Sequence, residues 1–158
     1  MRLLITSIAA FSAVAAPAQA ASLSPNDRIA LEQLKDANDA AWNRRDAKTI
    51  TGQYVAGATV RVAPSAELVE GRKAINRFFT AAFDRRVGEF RHVTSLAHLE
   101  PLDDDTVLTE GDVRVERQEA NGAWSLVRQF RTISVAVREK ESWKLRSVRA
   151  IPLSAPTL

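Results

Sequence analysis

Two arginines occur at positions where the strand repeat places a charge among large apolar residues. Arg128 alternates with Leu126 and Phe130 along one β-rich segment. Arg149 alternates with Leu145 along the last such segment. Because successive side chains of a strand point to opposite faces, each arginine is predicted to share a face with its apolar neighbours. An isolated buried charge is costly, so each should either pair with a carboxylate or point into a ligand cavity.

Both possibilities remain open from the residues alone. Glu110 and Glu116 on a preceding segment are the carboxylates available for pairing, and the arginines would then be structural or would cover a dimer interface. Otherwise Arg128 and Arg149 would bind a carboxylate or phosphate group, to which the guanidinium fork is well matched.

Aromatic residues of the predicted helical region point to the same kind of ligand. Trp42, Tyr54 and Phe83 could line a cavity together with Phe130, and such π surface suits an apolar or aromatic molecule. Packing in the core is the alternative role for each of them. We therefore take these four residues as candidate ligand contacts.

Histidine and acidic residues supply the candidates for catalysis. His92 and His98 are six positions apart, which on a regular strand separates them by about 20 Å, so they cannot chelate one metal ion. His98 and Glu110 are the candidate bases. Residues 103–105, all Asp, predict a hairpin turn and not a calcium loop. The sequence contains no cysteine and no nucleotide-binding fingerprint, and we expect neither a metal nor a cofactor.

The N-terminus has the pattern of a secretory signal peptide. Arg2 precedes an apolar run over residues 3–16, which is shorter than the roughly 20 residues of a membrane span. Small residues follow, and cleavage is predicted after Ala20. We therefore expect a periplasmic or secreted protein that is not membrane-bound after cleavage. The formal charge of +3 falls by one on cleavage, and the arginines are scattered among acids, so we expect no nucleic-acid partner.

The elements that would position these residues form one domain over residues 21–152, followed by a loose tail at 153–158. Ser24 and Asp46 are predicted to cap two helices, the second running through Tyr54, before a strand at 58–62. A third helix covers 72–83. Four β-rich stretches at 90–99, 106–116, 124–137 and 143–151 are separated by short turns and predict an antiparallel meander. This order predicts an α+β fold in which a curved sheet wraps three N-terminal helices.

Four short segments, in this order and spacing, resemble the SnoaL-like group of the nuclear transport factor 2-like superfamily, including its SgcJ/EcaC-like branch of domains of unknown function. They are residues 41–46 (AWNRRD), 54–60 (YVAGATV), 70–75 (EGRKAI) and 142–145 (SWKL). The resemblance implies a cone-shaped half barrel with a cavity between sheet and helices, and frequent homodimers.

Within that superfamily, comparison with ketosteroid isomerase implies that Val62 occupies the position of the carboxylate base. Asn38 falls near a tyrosine that donates to the oxyanion, and for this reason it joins the candidate ligand contacts. Because a valine cannot abstract a proton, steroid-isomerase chemistry is not expected.

Three functions are compatible with these features. The first is an exported protein that binds a small, partly apolar ligand between sheet and helices. The second is a cofactor-free isomerase, cyclase or lyase. The third is a protein-interaction or dimerisation module without a ligand. A cavity with convergent polar groups would favour the first two, and a filled cone would favour the third.

Overall fold

The computed structural model describes residues 22–64 and 67–153. The predicted signal peptide and all but the first residue of the predicted tail lie outside the described residues. The elements are α1 (Pro25–Asn43), α2 (Ala47–Gly52), β1 (Tyr54–Val62), β2 (Val69–Glu70), α3 (Arg72–Asp84), β3 (Phe90–Asp103), β4 (Thr106–Gln118), β5 (Trp124–Glu139) and β6 (Ser142–Pro152).

Helix α1 begins as predicted, because the Ser24 side chain accepts a hydrogen bond from the Asp27 backbone N–H at 3.1 Å. The Asp27 carboxylate in turn accepts hydrogen bonds from Arg138 at 2.7 Å and from the Trp143 indole at 3.2 Å. These contacts attach the start of α1 to strands β5 and β6. Asp27 therefore also fixes where α1 crosses the sheet.

The boundary between α2 and β1 differs from the prediction. Asp46 caps α2 through Thr49 as expected, but the helix ends at Gly52 instead of continuing through Tyr54. Tyr54 already pairs with Leu145 of β6, so the first strand starts four residues earlier than predicted. Tertiary pairing with β6 outweighs the local helical pattern at this point.

One curved sheet contains all six strands in the order β2-β1-β6-β5-β4-β3. The predicted meander is confirmed, since β3 to β6 pair antiparallel in sequence order. Strand β1 joins the sheet parallel to β6. Helices α1 and α3 pack against the inner face of this sheet, as the predicted α+β class requires.

Four irregularities of register interrupt the alternation of side chains along the meander. The extra residues are Ala97 and Leu102 in β3, Val127 in β5 and Arg146 in β6. Each behaves as a β-bulge, in which two residues on one strand oppose one on its partner. Beyond a bulge, residues that strict alternation assigns to one face lie on the other face.

The core consists of two clusters between the helices and the inner face. The larger contains the fully buried Ile50, Val60 and Ile75, and the smaller contains Leu31 and Val107. Among residues 22–64 and 67–153, no helix has the length and apolar character needed to cross a bilayer.

Candidate functional site

A cavity of about 520 Å³ lies between the inner face of the sheet and the helices. Apolar side chains from both layers form most of its wall, among them Leu34, Val62, Phe78, Phe79, Phe90, Leu96, Val113, Leu145 and Val148. A cavity of this size and character is typical of small-molecule sites. The two clusters of core residues leave this space between them instead of filling the cone.

The ionisable groups of the wall are strongly biased in sign. Among the described residues, those that line the cavity include the cationic Lys35, Arg85, Arg86 and Arg128 together with His92, but no Asp or Glu. Lys35 is neutralised locally, because its ammonium group lies 2.8 Å from a carboxylate oxygen of Asp36. The arginines have no carboxylate within salt-bridge distance in the described part of the chain, so the cavity wall is net positive.

Arg86 follows α3 and lies between aromatic rings. The carbon of its guanidinium group is 3.9 Å from the centroid of the Trp42 ring and 5.5 Å from that of Phe90. Its Nη1 atom is buried and has no hydrogen-bond partner among the described residues. Desolvation, reinforced by the charges of Arg128 and Arg45, lowers the pKa of Arg86 to about 10. The group nevertheless remains a cation at neutral pH.

His92 on β3 and Asp39 on α1 form a second polar group at the wall. The His92 Nδ1 atom lies 2.7 Å from an Asp39 carboxylate oxygen. Asp39 also accepts hydrogen bonds from the backbone N–H and the hydroxyl of Thr94, both at 2.7 Å. The His92 ring packs on Trp42, with 4.7 Å between ring centroids. Since Asp39 occupies Nδ1, Nε2 is the nitrogen that remains for a molecule in the cavity.

Tyr54 adds a neutral donor to the same wall. Its side chain is buried, and burial raises the pKa of its hydroxyl group above the ordinary value. The group therefore stays protonated over the physiological range. Asn38 lies nearby on the wall, where its amide donates a 2.7 Å hydrogen bond to Gln53.

The structure brings together five of the seven residues proposed from the sequence as ligand contacts. Those that line the cavity are Asn38, Trp42, Tyr54, Arg128 and Phe130. Phe83 does not line it; it is buried against Trp42 in an edge-to-face contact with 5.5 Å between ring centroids. Val62 lines the cavity with an apolar side chain at the position that the resemblance matched to a catalytic carboxylate.

Arg149 lies outside the cavity. The extra residue Arg146 shifts the alternation of β6, so that Leu145, Val148 and Ala150 face inward while Arg149 does not. Its guanidinium group donates to the hydroxyl of Thr59 at 3.2 Å and to the Val148 carbonyl at 2.9 Å. The expectation that Arg149 shares a face with Leu145, and meets Arg128 in one cavity, is therefore wrong.

The two candidate bases are also placed away from the cavity. His98 and Glu110 are paired across β3 and β4, but the bulge at Ala97 turns His98 to the outer face. The His98 side chain is 58% exposed and lies 4.0 Å from a Glu100 oxygen. Glu110 lies 3.8 Å from the guanidinium group of Arg131. Neither residue lines the cavity, and the assumption that both histidines share one strand face fails at the same bulge.

Carboxylates on the outer face pair with arginines other than those expected. Glu116, which is 2% exposed, bonds to Arg91 and Arg114. Asp112 holds Arg131 through two hydrogen bonds of 2.6 and 3.2 Å. Neither Arg128 nor Arg149 takes part in these pairs. In the described part of the chain, no group of three or more His, Asp or Glu side chains is arranged to hold a metal ion.

Sequence reasoning missed His92 and Arg86. A usable signal for Arg86 was its place just beyond α3, three residues after Phe83 and four before Phe90. The role of His92 depends on its contact with Asp39, and predicting that contact requires knowing where α1 crosses β3.

Comparisons with known proteins agree on the fold. The chain overlays Aln2 from a Streptomyces species with a TM-score of 0.74 and 24% identity, covering 82% of this chain and 93% of Aln2. A protein of unknown function with a cystatin-like fold from Nostoc punctiforme gives 0.73 at 15% identity, covering 86% and 98%. A protein from Catenulispora acidiphila, in complex with S-DNPA, gives 0.69 at 17% identity, covering 80% and 95%.

The search of curated proteins gave no match. At the identities above, the solved structures establish the fold and not an activity. The match to a sequence family is more extensive, because the SnoaL-like domain pattern covers residues 24–149. This chain therefore belongs to the SnoaL-like domain family of the nuclear transport factor 2-like superfamily.

Proposed function

We propose that this protein binds a small, partly apolar molecule in the cavity between the sheet and the helices. The observation that carries the proposal is the cavity itself, which has a volume of about 520 Å³, an aromatic and aliphatic wall, and a few polar groups in fixed positions. A module that serves only protein interaction has no need for an open interior. Ligand binding would use this space without a cofactor.

The test is native mass spectrometry of protein purified from its own host, with two matched tryptophan variants of β3. Leu96 lines the cavity, whereas Leu102 on the same strand is 53% exposed and does not. Leu96→Trp should obstruct part of the space and reduce the fraction of protein that retains an added mass, while Leu102→Trp should keep it. Retention of the same mass to the same extent by both variants would contradict binding in this cavity.

A second candidate function is cofactor-free acid–base catalysis, and the His92–Asp39 pair favours it. A histidine whose Nδ1 is held by a carboxylate can accept a proton at Nε2, and Asp39 would stabilise the resulting cation. His92 lines the cavity, so this proton could come from a bound molecule. Removal of a C–H proton next to a carbonyl is the step common to isomerases, cyclases and lyases of this kind.

Deuterium incorporation tests that step without knowledge of the product. The ligand recovered from native protein is incubated in D₂O with wild type, with His92→Gln, or with His98→Gln as the exposed control. Catalysis by His92 predicts a mass increase with wild type and with His98→Gln only. No incorporation with wild type would leave the protein as a binder, whereas incorporation with His92→Gln would exclude His92 as the base.

Export is a further proposal, supported by Arg2 and the apolar residues 3–16. N-terminal sequencing of the mature protein should begin at Ala21. Recovery of the functional protein from the cytoplasm with Met1 intact would contradict it.

A homodimer is proposed from the outer face of the sheet, where Val93 and Ile151 are exposed apolar residues. Sedimentation at micromolar concentration should give twice the mass of the chain. A monomer under those conditions would contradict the dimer.

A further inference from the structure

We propose that the ligand is an apolar or aromatic carboxylic acid whose carboxylate is bound by Arg86 and Arg128. This inference rests on the proposed binding function and names the class of molecule that the cavity takes. Three features of the described residues carry it: a buried donor without a partner, a cavity wall without acidic groups, and the stacked position of a guanidinium group.

The first feature is the Nη1 atom of Arg86. It is buried, yet no described residue accepts a hydrogen bond from it. Buried polar atoms in proteins are almost always hydrogen-bonded, and a donor on a charged group is the most costly to leave unpaired. An acceptor that is absent from the chain itself but present in a ligand would satisfy this atom.

The second feature is the arrangement of charge. Arg128, Arg45 and Arg86 are close enough that the first two oppose the charge of the third. Arg45 donates to the Gly88 carbonyl and does not line the cavity, so Arg128 is the wall residue whose charge opposes that of Arg86. No Asp or Glu among the described residues lines the cavity, and neither Arg86 nor Arg128 forms a salt bridge in that part of the chain. An anion bound between the two arginines would offset the repulsion between them.

The third feature selects the kind of anion. The face of the Arg86 guanidinium group lies over Trp42 at 3.9 Å, so its N–H donors, which lie in the plane of the group, remain available along its edge. A planar carboxylate fits such an edge through two parallel hydrogen bonds. The remainder of the wall is aromatic and aliphatic, with Phe90 and Phe130 adjacent to the two arginines. A molecule with one carboxylate on an apolar body matches both parts.

The probes are 2-naphthoate and its neutral counterpart 2-naphthamide, which have nearly the same shape. Isothermal titration calorimetry is carried out on wild type, Arg86→Met, Arg128→Met, and Arg149→Met as an outer-face control. Wild type and Arg149→Met should bind 2-naphthoate about tenfold or more tightly than 2-naphthamide, as expected for hydrogen bonds to a charged group. Arg86→Met should lose most of the preference for 2-naphthoate, and Arg128→Met should reduce it.

The outcomes separate this inference from the proposed function. If wild type binds both probes equally, or if Arg86→Met keeps the preference for 2-naphthoate, the carboxylate site is wrong while the binding cavity stands. If wild type binds neither probe, the proposed binding function and the inference both fail for this class of ligand. Arg128→Met is the second variant should Arg86→Met not fold, because Arg128 is exposed at the edge of the cavity. A preference unchanged in Arg128→Met would likewise contradict its role.

Discussion

The arginines on the two faces of the sheet differ in whether a carboxylate neutralises them. On the outer face, Arg131 is held by Asp112, and Arg91 and Arg114 share the buried carboxylate of Glu116. On the inner side, Arg86 and Arg128 stand next to each other without a carboxylate among the described residues. Arginines thus form salt bridges on the outer face and carry unneutralised charges on the inner side.

This difference separates what stabilises the fold from what is available to a ligand. The outer pairs cross-link β3, β4 and β5, and their charges are satisfied without any other molecule. Arg86 loses hydration without gaining a partner, and Arg128 stays exposed without one, so neither is expected to add much to folding stability. An arginine without a partner in the fold is a candidate for binding, because a ligand carboxylate would supply the missing ion pair.

The largest expected effect comes from removing the ring that supports the inner arginine. Trp42 contacts Phe83, Arg86 and His92 and is 8% exposed. Trp42→Ala should lower the free energy of unfolding by about 3–5 kcal/mol, the usual cost of deleting a buried aromatic side chain. Urea denaturation measures it. A cost below about 1 kcal/mol would show that the inner wall is not packed as described.

A smaller loss is expected on the outer face. Glu116→Gln should lower the free energy of unfolding by about 1–3 kcal/mol, because the variant leaves Arg91 and Arg114 without their shared carboxylate. The loss is limited because both arginine side chains are partly exposed to solvent. Arg128→Met is the matched change on the inner side and should alter the free energy of unfolding by less than about 0.5 kcal/mol. Equal losses in the two variants would abolish the distinction between the faces.

The pH dependence sharpens the same contrast. Arg91, followed by Arg114, holds the pKa of Glu116 below its ordinary value of 4.5. A carboxylate with a lowered pKa contributes stability that is complete above that ordinary value and is lost as the pH falls through its pKa in the folded state. The free energy of unfolding should therefore decrease on acidification below about pH 4.5.

The Glu116→Gln variant is the control for the pH effect. Its decrease over the same pH range should be smaller than that of wild type, because one of the responsible carboxylates is gone. Parallel curves for the two proteins would assign the acid sensitivity to other groups, such as Asp27, whose pKa is also lowered, first of all by its hydrogen bond with Ser24.

The sequence predicted the elements well because their signals are local. The Ser24 cap, the apolar stripe of α3 and the turns between long strands each depend on residues a few positions apart. The family resemblance then supplied the half barrel and the cavity. The early start of β1 at Tyr54 was missed because it depends on pairing with β6 about ninety residues later.

The site was predicted less well for a different reason. Arg128 and Phe130 were placed correctly on the cavity wall because no register shift separates them. Arg149 and His98 were misplaced because a single extra residue, Arg146 or Ala97, precedes each of them and reverses the face to which it points. Such bulges leave no reliable mark in one sequence. Arg86 was missed because its distinguishing feature is a buried Nη1 atom without a hydrogen-bond partner, which only the folded structure shows.

The most direct test of the contrast between the two faces is the shift in melting temperature caused by 2-naphthoate in Arg131→Met and Arg86→Met. Without ligand, Arg131→Met should melt about 2–4 °C below wild type, whereas Arg86→Met should melt within about 2 °C of wild type or above it. With 2-naphthoate, Arg131→Met should gain as much as wild type and Arg86→Met should gain clearly less. The contrast is contradicted if Arg86→Met is the less stable of the two and still gains as much as wild type from the ligand.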